Sequence, residues 1–206
     1  MRKIIIIVGI VIFVLFIAAL SLLFMRRPMD LTKYEPLKNP RITTIPDQKV
    51  IVVTTKGDPN VIGKEAFGVL FKSYFRIKGV AKGGIMPAPR ARWPIDQNTP
   101  MSEWTGKYAM AIPESIMALP KIKTKSGIEV KIDTWQYGEV AEILHIGPYE
   151  KEKPTVEKLM KFIEERGYHP VGEHEEEYIK GPGMFFKGNP EKYYTIIRYR
   201  VEKNEP

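Results

Sequence analysis

Two β-rich runs 90 residues apart, Val50-Ile-Val-Val-Thr-Thr-Lys-Gly57 and Val140-Ala-Glu-Ile-Leu-His-Ile-Gly147, both close on glycine. Self-similarity at a fixed lag means that one supersecondary unit is used twice, which restricts the fold more than composition can. A helix follows each run. Phe67, Leu70, Phe71 and Tyr74 fall at i, i+3, i+4 and i+7, and Val156, Leu159, Met160 and Ile163 repeat that spacing at a lag of 89. The spacing lays four apolar side chains along one helical face. Gly79 and Gly167 then stand where a helix stop belongs. Further on, Lys107-Tyr108-Ala-Met-Ala-Ile112 matches Lys192-Tyr193-Tyr-Thr-Ile-Ile197 at a lag of 85.

Each half therefore reads strand, helix, strand, strand. A partner strand precedes each: Arg41–Thr44 before the first half, Ile128–Trp135 before the second. Two such units bury their greasy helix faces by merging into one antiparallel sheet or partial barrel with both helices on one side. The expected class is α+β, with duplicated β-α-β-β units and a cleft between related halves. Segment 115–127, with Lys121, Lys123 and Lys125, reads as a solvated loop.

Ahead of the duplication, Ile4 to Phe24 is a run of 21 residues whose only non-apolar members are Gly9 and Ser21. As a helix it spans about 30 Å, the thickness of a bilayer's hydrocarbon core. The run exceeds the usual apolar region of a signal peptide, and Leu-Phe-Met-Arg-Arg is a poor cleavage site. Residues 1–27 are thus expected to form a single-pass membrane anchor, contacting lipid through residues 4–24. Arg26, Arg27, Lys33, Lys38 and Arg41 follow the run, against Arg2 and Lys3 before it. That asymmetry favours a cytoplasmic location for the large domain. Residues 28–40 read as a proline-rich linker and 41–206 as the folded domain.

The chain has 32 Lys and Arg against 24 Asp and Glu, a formal charge of +8. Residues 1–27 hold four of the basic groups and no acid, so residues 28–206 carry only +4. So small and scattered a surplus gives no argument for a nucleic-acid partner. With no cysteine, disulfide frameworks, zinc–thiolate sites and thiol nucleophiles are excluded.

The second half carries Gly147-Pro148-Tyr149 before its helix, then Glu176-Glu177-Tyr178-Ile179-Lys180-Gly181-Pro182, then a closing strand from Tyr194 to Val201. In these motifs, strongest over 139–201 and extending over 41–203, the chain resembles the GyrI-like small-molecule-binding domain. The same domain serves as effector-binding module in AraC- and MerR-type multidrug regulators. The SOUL haem-binding proteins share the architecture, but no histidine here stands in a distinctive haem-ligand context. An apolar run rather than a helix-turn-helix precedes the domain here, so the transcriptional role of those regulators is not expected.

The resemblance implies a ligand pocket where the halves meet, lined by aromatics and holding a buried glutamate. The motif assigns that glutamate to Glu176. Residues two apart on a strand share a face, so Glu176 and Tyr178 point one way while Glu175 and Glu177 point the other. Tyr149, Tyr178, Trp135 and Tyr193 are the candidate ligand-lining aromatics. A carboxylate among rings attracts a lipophilic cation by charge and by ring quadrupole. Some members of the family open cyclopropane-bearing compounds hydrolytically, and by resemblance Glu176 would then be the catalytic carboxylate. A third reading is a membrane-anchored module that binds a protein partner. The resemblance implies no cofactor.

The remaining motifs read blandly. His145 is expected as a satisfied sheet histidine. His169 and His174 are five apart around Pro170 and Gly172, which is no helical ligand spacing, so no metal site is expected. Gly57 to Glu65 is not a phosphate loop, because its spacer is one residue too long and Glu65 stands where a hydroxyl is needed. Arg90 and Arg92 alternate with alanine and are expected to be a solvated basic strand face.

Overall fold

The computed structural model describes residues 30–82, 86–94, 99–120, 127–182 and 188–205. The apolar run 4–24 lies outside them, as does most of the lysine-bearing loop at 121–126. Among the described residues, no helix is long and apolar enough to cross a membrane. Thr32–Lys38 form a short 3-10 helix within the linker stretch, started by Asp30, whose carboxylate accepts from the Thr32 amide at 3.0 Å.

The folded unit, Pro36–Pro206, is built on one sheet. Its strands are β1 (Arg41–Ile45), β2 (Gln48–Lys56), β3 (Arg90–Trp93), β4 (Thr105–Ala111), β5 (Val130–Trp135), β6 (Gly138–Ile146), β7 (Tyr168–Lys180) and β8 (Tyr194–Lys203). They lie in the order β1-β6-β8-β7-β3-β4-β2-β5, and each pairing is antiparallel. Helices α1 (Pro59–Tyr74) and α2 (Lys153–Glu165) cover one face.

The strand order reads the same backwards when β1–β4 are exchanged with β5–β8, so the two halves are related by a pseudo-twofold axis between β3 and β7. The duplication is thereby realised, with one difference. The strand preceding each half does not pair within it: β1 joins β6 of the second half and β5 joins β2 of the first. Two residues, Pro46 and Asp47, link β1 to β2 at nearly opposite ends of the order. So short a link reaches only about 10 Å, so the open sheet must curl until its ends approach. Ile45, Val50, Val52, Trp135, Tyr137 and Val140 accordingly cluster on the inside of the curl.

Local chemistry sets the helix limits. Asp58 caps α1 by accepting from the Asn60 amide at 2.8 Å, and Pro59 occupies the first turn, where its missing amide costs nothing. Gly167 (φ +73°) ends α2 as its spacing predicts. Helix α1 stops earlier than Gly79, at Tyr74. Leu70 and Tyr74 of α1, and Leu159 and Ile163 of α2, are almost fully buried against the sheet. Full burial of each such side chain is worth about 2 kcal/mol. Phe67 and Phe71 are only half-buried, because the buried stripe of α1 runs through Ala66, Val69, Leu70, Ser73 and Tyr74.

Candidate ligand site at the pseudo-twofold seam

Strand registers locate Glu176 relative to the internal symmetry. Val50 pairs with Ala111 and Val140 with Arg200, so Ala111 and Arg200 are equivalent at a lag of 89. Ala91 pairs with Tyr108 and Glu176 with Ile197, so Ala91 and Glu176 are equivalent as well. Those two residues also pair with each other across the β3–β7 seam. Glu176 therefore faces its own counterpart on the pseudo-twofold axis, and that counterpart is a methyl group. The third sequence match, at a lag of 85, is out of register by four residues: the structural equivalent of Tyr108 is Ile197, not Tyr193.

The small Ala91 leaves space that aromatic groups fill from both halves. Trp93 Nε1 donates to Glu176 Oε1 at 2.7 Å. Tyr178 packs edge-on against Phe67 of α1 and against Tyr149, with ring centroids 5.7 and 5.5 Å apart. Tyr193 stands 5.4 Å from Tyr149. Tyr149 lies on the short 3-10 turn Tyr149–Lys151 that leads into α2. Four of the five sequence candidates, Glu176, Tyr178, Tyr149 and Tyr193, thus come together, with the Tyr149 ring in contact with both other tyrosines. Trp135 does not join them. It sits on the inner face of the curl with the Arg92 guanidinium 4.0 Å from its ring centroid, because the last residue of β5 falls on that face in the register with β2.

Sequence reasoning missed Trp93, His174 and Glu152. His174 precedes Glu176 by two residues and shares its face. Its Nδ1 is 2.6 Å from the Tyr199 hydroxyl, while Nε2 is 3.5 Å from Glu176 Oε1. Glu152, at the start of α2, turns its carboxyl group toward both. Period-two alternation could have flagged His174 beside Glu176; nothing in the sequence marked Glu152. His145 is satisfied as expected, by Thr155 Oγ1 at 2.9 Å and the Pro148 carbonyl at 3.1 Å.

The electrostatics follow from burial and proximity. Burial alone would raise the Glu176 pKa, but contact with His174, supported by Tyr178 and Trp93, holds it below the usual carboxylate range. Burial would likewise lower His174, and Glu176 outweighs it, raising the imidazole. Glu152 is pushed up to about 8 by burial and by the facing Glu176 charge. Burial and then the Glu176 charge also raise the Tyr149 and Tyr178 phenols, which stay protonated.

The opposite face of β7 is different. Arg90 and Arg92 are not a solvated basic surface there; they are mostly buried against the acids of β7. Arg198 donates to Glu175 at 2.7 Å, Glu142 at 2.8 Å and Glu177 at 3.2 Å, while Arg92 reaches Glu175 at 2.8 Å. Tyr137 donates to Glu175 at 3.0 Å. A cavity of about 90 Å³ opens beside this network, lined by Arg92, Tyr137, Glu175, Arg198 and Arg200 among others. Its polar groups are largely committed to one another.

A doubled β-α-β-β sheet with a glutamate buried at the junction of the halves carries the resemblance noted from the motifs. The sequence profile of the GyrI-like small molecule binding domain matches residues 38–202. The chain belongs to the GyrI-like family. No curated protein sequence matches the chain. Among solved structures, an uncharacterized conserved protein from Listeria innocua is similar at a TM-score of 0.67 and 22% identity, covering 84% of this chain and 97% of that one. A hydrolase from Listeria innocua is similar at 0.64 and 22%, covering 82% and 95%. The C-terminal domain of EcmrR is similar at 0.55 and 17%, covering 80% and 98%. At these identities the likeness concerns the fold. A GyrI-like domain is a small-molecule-binding domain, and the seam is where this one concentrates an acid and aromatic rings.

Proposed function

We propose that this GyrI-like domain captures lipophilic organic cations at the seam, held near a bilayer by residues 4–24. The observation that carries the reading is the Glu176 carboxylate, buried on the pseudo-twofold axis and ringed by Trp93, Tyr149, Tyr178 and Tyr193. A buried carboxylate favours a cationic guest, and ring faces favour the same guest through their quadrupoles. The rings pack on one another, so a guest enters by displacing them. Tyr149 is the ring best placed to move, because it rides on a short turn rather than on the sheet. The 21-residue apolar run supports the tether: compounds that partition into lipid meet a membrane-held site at raised effective concentration.

Turnover of the guest is a second reading. The grouping of Glu176 with a second carboxyl group, Glu152, and the His174 imidazole favours it, since hydrolysis needs one group to activate water and another to hand over a proton.

The test uses the full chain in lipid nanodiscs, titrated with tetraphenylphosphonium and ethidium, beside the Glu176→Gln variant. Saturable binding that Glu176→Gln abolishes supports capture. Equal uptake by both proteins, beyond partition into lipid alone, would remove the seam as the site. Mass spectrometry of reactive cyclopropane-bearing compounds incubated with the protein decides turnover.

A further inference from the structure

Beside the aromatic rings, Glu176 belongs to a group whose other two members, Glu152 and His174, cation capture does not use. Glu152, His174 and Glu176 each offer one ligand-type atom, and these atoms all lie within 4.8 Å of one another. The sequence gives no hint of it, because the three come from the turn into α2 and from alternate positions of β7. The His174 side chain is more than nine-tenths buried, and its Nε2 makes no hydrogen bond. Glu152 Oε2 is buried without a hydrogen bond as well. His174 Nε2 still faces Glu176 Oε1 as an ion pair at 3.5 Å, so the unpaired atom of the group is Glu152 Oε2, and a buried acceptor without a partner costs stability unless something fills the gap beside it.

We propose that Glu152, His174 and Glu176 bind a divalent first-row transition ion of the zinc class. One imidazole with two carboxylates is a donor set suited to zinc, cobalt or manganese, and the imidazole disfavours magnesium and calcium. Metal–ligand bonds of about 2.1 Å in tetrahedral geometry place neighbouring ligand atoms roughly 3.4 Å apart. His174 Nε2 and Glu176 Oε1 already stand 3.5 Å apart, so the wider remaining spacings need only a shift of the Glu152 side chain on its turn. Two carboxylates neutralise a doubly charged ion, so the loaded site carries no net charge into a buried environment. The surrounding contacts have the character of an outer shell: Tyr199 holds His174 Nδ1 at 2.6 Å, fixing the ring, and Trp93 holds the Glu176 carboxylate at 2.7 Å. Three protein ligands leave a fourth position for water or a guest. An ion there uses the same carboxylate as an organic cation, so the two exclude each other.

The experiment titrates the full chain in detergent micelles with zinc chloride by calorimetry and with cobalt chloride by visible absorption. Expected are saturable uptake of one ion per chain and ligand-field bands of four- or five-coordinate cobalt. His174→Gln and Glu152→Gln should each abolish both signals. Tyr199→Phe should weaken binding about tenfold. The exposed His169→Gln should change nothing. Circular dichroism shows whether each variant is folded; should His174→Gln unfold, the partly exposed Glu152→Gln decides. Absence of saturable zinc uptake by the unaltered chain, or uptake that survives in folded Glu152→Gln, overturns the proposal. Neither result bears on cation capture, which Glu176→Gln and the organic probes test without metal.

Discussion

Trp93 Nε1 donates to Glu176 Oε1 at 2.7 Å although the two residues are diagonal neighbours rather than opposite ones. Trp93 pairs with His174, and the residue opposite Glu176 is Ala91. The indole reaches across the seam over that methyl group, so a donor from the first half serves an acid of the second. The bond is available only because the symmetric partner of the acid is small. Duplication alone would have placed two like side chains face to face on the axis; divergence to Ala91 and Glu176 put a single carboxylate there instead.

Trp93→Phe keeps most of the ring volume and removes the donor from a buried carboxylate. The folded state should lose about 1–3 kcal/mol, the cost of leaving a buried acceptor short of a partner. Urea unfolding followed by far-UV circular dichroism measures it. A variant as stable as the parent would mean that the indole bond does not support Glu176.

Gly106 lies against the Trp93 ring: a Cβ built there would stand 2.5 Å from it. Gly106→Ala should therefore shift the indole and cost about 1–3 kcal/mol. If the damage passes through Trp93, the double variant with Trp93→Phe should lose less than the two single losses together. Full additivity in the same urea experiment would place the strain elsewhere.

How far these relationships were legible depended on the kind of signal. The apolar periods of both helices and the two strand-glycine runs located the doubled unit, because burial on one face imposes a period. The lag of 85 between Tyr108 and Tyr193 misled by four residues, since an even slip leaves strand alternation intact and only pairing registers correct it. Parity on β7 separated Glu176 and Tyr178 from Glu175 and Glu177. Trp135 lies on the inner face, apart from the other candidates, and an aromatic at a strand end carries no mark of which face it takes. The burial of Arg90 and Arg92 leaves no local mark in the sequence, because their acidic partners lie more than 80 residues away. Glu152 is illegible for a different reason: it meets His174 and Glu176 only through the packing of α2 on the sheet, which no strand period marks.

The ion network inside the curl predicts an acid-sensitive fold. Burial would raise Glu175, but Arg198, Arg92 and Arg90 outweigh it and hold the carboxyl below its ordinary value. A folded-state pKa below the unfolded one stabilises the fold fully above the ordinary carboxylate value of about 4, and that share is lost as pH falls through the folded value. Glu175→Gln should cost about 3 kcal/mol or more at neutral pH, as removal of one member of a buried ion network does. The gap from the parent should narrow below about pH 4. Urea titrations across that range check it, and a gap independent of pH would mean that Glu175 contributes by packing rather than by charge.

Tyr149 sets the last prediction, which concerns access to the seam. Its hydroxyl packs against Gly181, where a Cβ would come within 2.6 Å of the phenol oxygen. Gly181→Ala should therefore push the ring off its place beside Tyr178 rather than disturb the sheet, because a side-chain tip on a short turn yields before backbone does. Holding a side chain off its preferred rotamer costs about 0.5–1.5 kcal/mol, which raises the ring-displaced population by a factor of about 2–10. Under cation capture, stopped-flow fluorescence with ethidium should then show association faster by that factor. Overall stability should stay within about 1 kcal/mol, and binding should still depend on Glu176, since the carboxylate itself is untouched. Tyr149→Ala should speed association further. Unchanged rates in both variants would show that guests reach Glu176 by a route other than past this ring.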